Sequence, residues 1–432
     1  MNNIILIIPL LIIVLTLTKP KWGLSIMLCC YLLLPAIPIE ISGVQFKKNH
    51  VLILVVTLFF VKQILIDSRR ITYTPFMFCI IYLFFSAIFI PFKEMGSSIQ
   101  LYYIFYDIII ALFFPIAIWN VFLHSNCVIL YRKALLCCIF VSGLYGIFLL
   151  FTEGFNPWIS FFSLLEGGDD SIWTHYYSNE SRLFGRISSV FFHPMHYAAF
   201  IGFAVIYLVY IRNKVTFKWF LLVFSILCVN LVTCGVRSVL GALIITILVF
   251  ILLKRKLDIT LTIIFVISIV VAIAMSIPGL DTYLSSIFSK PENSTVGGSS
   301  LEMRLDQLEG ALEEINNNPL MGKGYGWCRD YILQNEGHPV LLGFESIILV
   351  VLCNNGIIGL FLYALFGILY YLYVKRHATK NNRPFFICLL IYYYAYECIT
   401  GEFAFQFFML FYTFMLCENY CTYKLPNTKL SR

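Results

Sequence analysis

Apolar stretches long enough to cross a lipid bilayer recur along the whole of this 432-residue chain. A membrane-spanning helix needs about 20 mostly apolar residues, and only helices and closed barrels cross a bilayer. We therefore expect an all-α integral membrane protein: a polytopic bundle of 12 or 13 transmembrane helices forming a single domain over residues 1–432. The candidate spans are 3–18, 22–39, 51–66, 75–91, 101–122, 128–151, 189–211, 217–232, 238–253, 259–277, 345–374, 384–398 and 404–420.

The composition agrees with a lipid environment and excludes some functions. Apolar residues make up 60% of the chain and charged residues only 12%, whereas a soluble domain carries about 25% charged residues. The net charge is +7, but no basic run is long enough to form a nucleic-acid patch. We expect membrane lipid around the protein and no nucleic acid among its partners.

The basic residues predict the orientation of the bundle. Loops on the cytoplasmic side of a membrane protein are enriched in lysine and arginine. Alternating the 13 spans backwards from a cytoplasmic C-terminus places most lysines and arginines inside and nearly all acidic residues outside. The N-terminus then lies outside. The first apolar stretch has no preceding basic residue and no cleavage pattern, so we predict that it is retained as a span.

Two outer loops are long, at 152–187 and 278–344. Long loops on one face of an apolar bundle are the natural place for chemistry. Within the second, residues 300–315 predict an amphipathic helix, because Leu301, Leu305, Leu308, Leu312 and Ile315 recur at helical spacing. We expect this apolar stripe to face the bundle, with Arg304 flanking it and also pointing toward the bundle.

Metal and redox motifs are weak. The chain has 14 cysteines but no C-x-x-C, and most lie in apolar runs, so we interpret them as small apolar side chains. His193 and His196 are spaced for a shared ligand, but Pro194 between them favours a helix start instead. We predict no metal and no other cofactor.

The outer side carries few basic residues, and several of them group near the ends of spans. Arginine binds phosphate through a planar fork of donors and remains charged. The sequence therefore predicts an anion site, although interfacial snorkelling of single arginines is the alternative interpretation. The candidate binding residues are Arg182, Arg186, Arg237, Arg304 and His193.

Glu345 and His338 are the candidate catalytic residues. Glu345 opens a long apolar helix, where an acidic side chain is costly unless it is used or paired. A structural ion pair is the alternative explanation for it. The glycine-rich run at 322–326 resembles a phosphate cradle, but no strand precedes it, so we predict a sharp turn into the bundle.

Four segments together resemble the bacterial O-antigen polymerase and O-antigen ligase superfamily. The resemblance covers 181–360 and extends loosely, by topology, to the whole chain. Its motifs are Arg182-Leu-Phe-Gly-Arg186 with His193-Pro194, Thr233-Cys-Gly-Val-Arg237-Ser238, Arg304 with the run from Asn318 to Gly326, and His338 with Glu345-Ser346 and Asn355-Gly-Ile-Ile-Gly359. Glu345 occupies the spacing at which ligases usually carry a histidine, and His338 lies seven residues earlier. This departure favours the polymerase branch.

The resemblance implies a metal-independent glycosyltransferase in the bacterial inner membrane. It would join undecaprenyl-diphosphate-linked oligosaccharide units into O-antigen or a related polysaccharide on the outer face, with a chain-length regulator and a flippase as protein partners. A ligase that transfers the glycan to lipid A–core is one alternative. A glycolipid flippase or transporter is the other, but we find no internal repeat, and the charges gather at the outer edge rather than at mid-membrane.

Overall fold

The computed structural model describes residues 11–34, 39–41, 44–46, 48–66, 71, 76, 101, 104–105, 108–124, 128–152, 155–166, 186–191, 193–254, 301–335, 337–401 and 409–414. The predicted spans at 75–91 and 259–277 lie outside these residues almost entirely, and most of the span at 404–420 does as well. The described residues are helical apart from turns and one short antiparallel hairpin, in which Ile39 pairs with Phe46. The predicted all-α membrane fold is confirmed.

The helices follow the apolar runs closely. They are α1 (Pro20–Leu33), α2 (Lys48–Val61, continued by a π-helical turn at Lys62–Ile66), α3 (Phe114–His124, preceded by a π-helical turn at Ile109–Phe113), α4 (Val128–Leu149), α5 (Pro157–Glu166), α6 (Pro194–Tyr210), α7 (Phe217–Thr233), α8 (Arg237–Lys254), α9 (Leu301–Glu314), α10 (Trp327–Asn335), α11 (Ile347–His377) and α12 (Arg383–Thr400). Strands β1 (Ile39–Ile41) and β2 (Val44–Phe46) form the hairpin.

Three described helices are long and apolar enough to cross a membrane: Ile129–Leu149 within α4, Arg237–Lys254 and Ile347–His377. Four shorter apolar helices accompany them, at Pro20–Leu33, Leu54–Leu65, Pro194–Tyr210 and Phe217–Thr233. Many large apolar side chains on these helices are exposed, among them Trp219, Leu252 and Phe361. A bilayer covers such surface, so these side chains mark lipid-facing positions.

One end of the bundle gathers the loops that the charge pattern assigns to the inside. The Lys254 ammonium donates to the carbonyl of Asn381 (3.2 Å) and lies 5.7 Å from the ring centre of Phe385. The ring of Tyr210, at the end of α6, is 5.1 Å from that of Phe385. The ends of α6 and α8 and the start of α12 therefore meet here, as the alternation of spans predicts. We call this the inner end and the opposite one the outer end, after the sides that the charge pattern predicts.

Helix α11 is broken at Gly356, which has φ +63° and ψ −158°. The segment 357–377 after the break is about 31 Å long, the thickness of a hydrocarbon core. Helices α11 and α12 lie side by side at Tyr363, whose carbonyl accepts from the Tyr394 hydroxyl of α12. Only about 10 Å further along α12, Gly401 already touches Phe344, which precedes α11. A straight α11 would place its first residue about 24 Å above Tyr363.

The part of α11 before the break therefore bends over the outer end of the bundle. It packs there with α9 and α10 around a small core of its own, which includes Ala311, Trp327, Leu341 and Cys353. We call these three elements, α9, α10 and residues 347–355 of α11, the outer cap.

Candidate functional site

An arginine and a glutamate from distant parts of the chain form the centre of the site. The Nη2 atom of Arg304, on α9, lies 3.1 Å from Oε2 of Glu345, just before α11. Arg304 also donates through Nη1 to the Glu345 carbonyl (2.9 Å) and to Oε1 of Gln307 (3.0 Å). Nη2 donates in addition to the Ile399 carbonyl near the end of α12 (3.0 Å). One guanidinium thus ties together α9, α11 and α12.

Solvent reaches this pair only in part. The side chains of Arg304 and Glu345 are 21% and 36% exposed. Burial lowers the pKa of Arg304, and the charge of Glu345 partly opposes that shift. Because an arginine pKa begins above about 12, the guanidinium stays charged at neutral pH. The pair is a half-buried cation and anion at the outer end of the bundle.

A glycine allows α12 to approach the segment that carries Glu345. Gly401 ends α12 in the left-handed conformation, with φ +72°. A Cβ atom there would lie 2.4 Å from the Phe344 carbonyl oxygen and 2.9 Å from the Ser346 nitrogen. Only glycine meets both demands, so the position of Glu345 against α12 depends on this residue.

His338 lies in a neighbouring cluster rather than in the pair. Its Nδ1 accepts backbone N–H bonds from Val340 (3.2 Å) and Leu341 (3.0 Å), so the neutral ring carries its proton on Nε2. That nitrogen lies 3.2 Å from Oε1 of Glu314. The side chain is only 8% exposed. Both ring nitrogens are engaged, which leaves no lone pair of this histidine open to a substrate hydroxyl.

Glu314 links this cluster to the glycine-rich run. Its Oε2 lies 2.7 Å from the ammonium of Lys323, which is also 4.9 Å from the ring centre of Trp327. Partial burial raises the pKa of Glu314, but hydrogen bonds from Lys323 and His338 outweigh that effect and bring the pKa below its ordinary value. The three side chains hold the end of α9 to the following loop and to the 337–342 turn.

The glycine-rich run turns sharply into the bundle, as predicted, and its backbone pairs with that of α11 at the break. The N–H groups of Lys323 and Gly324 donate to the carbonyls of Cys353 and Asn354, both at 2.8 Å. In return, the carbonyls of Pro319 and Leu320 accept from Ile357 (3.0 Å) and Ile358 (3.1 Å). These are the backbone groups that a broken helix leaves without partners, so the loop 319–324 completes α11. We call this arrangement the splice.

Two glycines make the splice possible. Gly322 and Gly356 both have positive φ, +68° and +63°. A Cβ on Gly322 would lie 2.7 Å from the nitrogen of Gly356, and one on Gly356 would lie 2.5 Å from the carbonyl of Leu320. The backbones therefore touch where side chains would separate them. The glycine spacing serves this contact and not a phosphate cradle.

A second group of candidates lies beside the turn between α7 and α8. Gly235, with φ +64°, would bring a Cβ to 3.0 Å from Cγ of Arg186, and the Ile187 N–H donates to the Thr233 carbonyl (3.3 Å). Burial raises the pKa of the Cys234 thiol to about 11, although the charge of Arg186 acts in the opposite direction. Arg237 follows as the first residue of α8. Arg182 lies outside the described residues.

His193 caps α6, as predicted from its position before Pro194. Its Nδ1 accepts from the Met195 N–H at 3.1 Å, and its ring centre is 6.1 Å from that of His196. The hydroxyl of Tyr396 on α12 donates to the Met195 carbonyl (2.7 Å). Helix α12 therefore connects the two groups of candidates, since its outer part contacts the start of α6 and its end contacts Arg304.

Helix starts and arginines lie together at the outer end. Helices α6, α8 and α11 all begin there, and the first turn of a helix carries a partial positive charge. Arg186, Arg237 and Arg304 add full positive charges at the same end. Helix N-termini and arginines together favour a phosphate-like anion.

Helix α9 is amphipathic as predicted, but the expected direction of its leucine stripe is wrong. Arg304 does point toward the bundle, whereas Leu305 and Leu312 are 61% and 51% exposed. Ile315, at the end of the predicted stripe, is buried, and the rest of the buried face carries Gln307 and Ala311. The reason is that Glu345 and the end of α12 lie on the bundle side of α9. Their hydrogen bonds with Arg304, which Gln307 supports, turn this face of α9 toward the bundle.

Several residues of the site were not identified from the sequence. Glu314 and Lys323 join His338, and Asn354 accepts the Cys328 N–H at 3.0 Å. One signal was available for Glu314, since Arg304, Gln307, Ala311 and Glu314 recur at spacings of three and four residues, which is a second helical stripe. For Lys323 and Asn354 the sequence gives no such signal.

Comparison with known proteins finds a family that is similar to part of the chain. Residues 222–364 match the model of a family described as O-Antigen ligase. The match begins in α7, includes α8 and the outer cap, and ends in α11, so it contains Arg237, Arg304, His338 and Glu345. No curated protein matches the chain. The match confirms the predicted resemblance to the O-antigen polymerase and ligase superfamily.

Proposed function

We propose that this membrane protein, which shares its segment 222–364 with the O-antigen ligase family, is a polymerase of lipid-linked glycan. In this proposal it works at the outer face of the bacterial inner membrane and joins undecaprenyl-diphosphate-linked repeat units into a surface polysaccharide. The observation that carries the proposal is the pair of Arg304 and Glu345, at 3.1 Å. In this pair the residues that we propose as the phosphate-binding group and the carboxylate base lie side by side, within the matched segment.

The reaction needs the two groups at different moments. Without substrate, Glu345 is the counter-ion of Arg304. An incoming diphosphate carries more negative charge than a carboxylate and matches the guanidinium fork. It therefore replaces Glu345 at Arg304, with Arg182, Arg186, Arg237 and His193 as further binding residues. The displaced carboxylate is then free to accept a proton.

The chemical step follows from this exchange. The acceptor hydroxyl oxygen attacks the anomeric carbon of the donor, and its proton passes to the carboxylate of Glu345. The bond between the anomeric carbon and the diphosphate oxygen breaks, and undecaprenyl diphosphate leaves with the bonding electron pair. Fixed positive charge at the outer end stabilises the negative charge that develops on the leaving group. In this scheme arginines supply the charge that a metal supplies in other transferases.

His338 is the runner-up for the base. It lies in the same cap, with its ring 5.8 Å from that of Phe344, which directly precedes Glu345. However, two backbone N–H groups occupy Nδ1 and Glu314 faces Nε2. This arrangement favours a structural role for His338 and supports Glu345 as the base.

The ligase alternative is favoured by one observation, the description of the matching family itself. A ligase and a polymerase use the same donor and differ in the acceptor. The engaged ring of His338 supports the polymerase, because a ligase of this family is expected to carry its histidine where this chain has Glu345. A flippase is the alternative of another class, and a chain-length regulator and a flippase are the protein partners that we propose.

The glycan profile of a deletion strain tests the proposal. Loss of a polymerase leaves lipid A–core that carries single repeat units, and the wild-type gene restores the ladder. Bare core in the deletion strain would mean that the protein is a ligase, and a cytoplasmic accumulation of unit-length glycolipid would mean a flippase.

The orientation has its own test. We expect reporter fusions at Gly167 and Ser294 to be active outside, and fusions at Lys256 and Lys380 to be active inside, with the N-terminus outside and the C-terminus cytoplasmic. A cytoplasmic signal from Ser294 would move every proposed site residue to the wrong face and would refute the proposal.

A further inference from the structure

Two cysteines on different elements of the outer cap are buried in the same small core. Cys328 is in the first turn of α10, and Cys353 lies on α11 three residues before the break at Gly356. Both residues are buried, at 3% and 0% exposure. The Cys328 Sγ lies 3.8 Å from the Val350 carbonyl oxygen, about one helical turn before Cys353 on α11. Both cysteines belong to the small core of the outer cap, and both are free thiols in the structure.

The backbone on both sides of these thiols is already fixed. The Cys328 N–H donates to Oδ1 of Asn354 (3.0 Å), and the Cys353 carbonyl accepts from the N–H of Lys323 (2.8 Å). Cys328 is therefore held by Asn354, the neighbour of Cys353, and Cys353 is held by the splice. A covalent bond between the two sulfurs would join elements that the hydrogen bonds already hold in place.

We propose that Cys328 and Cys353 form a disulfide that fastens α10 to α11 beside the splice. The inference rests on the proposed outer orientation, because the outer compartment is oxidising and the cytoplasm is not. The oxidant is the disulfide of a thiol–disulfide oxidoreductase. The two thiols lose their protons, a sulfur–sulfur bond forms between them, the oxidant's own disulfide breaks, and the oxidant leaves as a dithiol carrying two protons and two electrons.

The order of events follows from burial. Burial raises the pKa of the Cys328 thiol well above its ordinary value, and the neighbouring Cys353 thiol raises it further. Since the thiolate is the form that reacts, the buried Cys328 thiol is inert. The disulfide must then form while the cap is still open during folding, and once the cap closes it is shielded from external reductant.

The chain provides a matched control pair. Cys29 on α1 and Cys138 on α4 also pack in one cluster, but they lie within apolar spans. No oxidoreductase reaches a thiol inside the bilayer, so this pair is expected to stay reduced. The cysteines are close together in both pairs, but only Cys328 and Cys353 are exposed to the outer compartment during folding.

The test is differential alkylation of the full-length protein, with cells quenched in denaturing detergent containing a first maleimide. The protein is then reduced, treated with a second maleimide and digested for mass spectrometry. We expect the second label on Cys328 and Cys353 and the first label on Cys29 and Cys138. In Cys328→Ser, Cys353 should change to the first label.

Two results would overturn the disulfide. One is the first label on Cys328 and Cys353 while a Ser294 reporter is active outside, and the other is the second label on all four cysteines, which would mean non-specific oxidation. A Ser294 reporter active in the cytoplasm would instead overturn the proposed function, so the two failures are distinguishable.

Discussion

The carboxylate of Glu345 lies 3.1 Å from the guanidinium of Arg304, 41 positions earlier in the chain. Sequence analysis selects these two residues for different tasks, one as a base and the other as a diphosphate ligand. In the structure each is the other's counter-ion. The proposed reaction makes use of this arrangement, because the substrate must take the place of Glu345 before Glu345 can act.

Replacing Arg304 tests the fork geometry. Arg304→Lys keeps the charge, but a single ammonium cannot reach Gln307, Glu345 and the Ile399 carbonyl together. Hydrogen bonds to charged groups contribute about 1.5–3 kcal/mol each, so we expect at least a tenfold loss of polymerisation, and a larger loss for Arg304→Ala. The measurement is the glycan ladder of a deletion strain carrying each variant at normal expression. Arg329→Lys, on α10 and outside the pair, is the control, and wild-type ladders from both Arg304 variants would refute the diphosphate role.

Glu345→Gln tests the base. The amide keeps the shape of the side chain but cannot accept the acceptor's proton, and removal of a positioned base typically costs about 10²–10⁴-fold in rate. We expect single repeat units in place of long chains, while the variant still inserts into the membrane. His338→Ala should have the smaller effect. Glu313→Gln, an exposed acid on α9, is the matched control. A full ladder from Glu345→Gln with short chains from His338→Ala would reverse the assignment.

Gly356→Ala tests the splice. Alanine disfavours φ +63°, and its Cβ would lie 2.5 Å from the Leu320 carbonyl. The backbone conformation alone costs about 1–3 kcal/mol, and the contact adds to it, so we expect a lower thermal unfolding temperature in detergent and weak activity. Gly343→Ala is the control, since a Cβ there meets nothing within 4 Å. Equal melting temperatures for the two variants would mean that α11 does not require the loop 319–324.

The cluster around Glu314 predicts a pH dependence. The pKa of Glu314 is depressed in the folded protein, so its stabilising contribution is present above the unfolded value of about 4.3 and is lost as the pH falls through the folded value. Glu314→Gln should therefore lower the melting temperature at pH 7, and this difference should shrink below about pH 4. Glu309→Gln, an exposed acid on the same helix, should change little. A difference that stays constant down to pH 3 would mean that charge is not the cause.

Much of the bundle follows from the sequence because a bilayer requires apolar stretches of a minimum length. The bounds of α7, α8 and α12 agree with the predicted spans to within two residues. The break in α11 was not predicted, since residues 345–374 read as one apolar run. Gly356 is one of 25 glycines in the chain, and only the contact with Leu320 explains why it is needed.

The direction of α9 shows a second limit. Helical periodicity separates the leucine stripe from the charged face, but in a membrane protein apolar side chains need not face the protein interior. The polar partners of Arg304 fix the orientation, and one of these partners, the Ile399 carbonyl, is a backbone atom of another helix. No spacing within residues 300–315 reveals it.

In the proposed function, the protein itself extends a lipid-linked glycan. The most direct test reconstitutes the purified protein in liposomes with undecaprenyl-diphosphate-linked repeat units, a chelator and no nucleotide, and separates the products by length. The Glu345→Gln protein serves as the inactive control. We predict a ladder of lipid-linked chains from the wild-type protein. If the repeat units remain single, or if glycan is only transferred to added lipid A–core, the protein is not a polymerase.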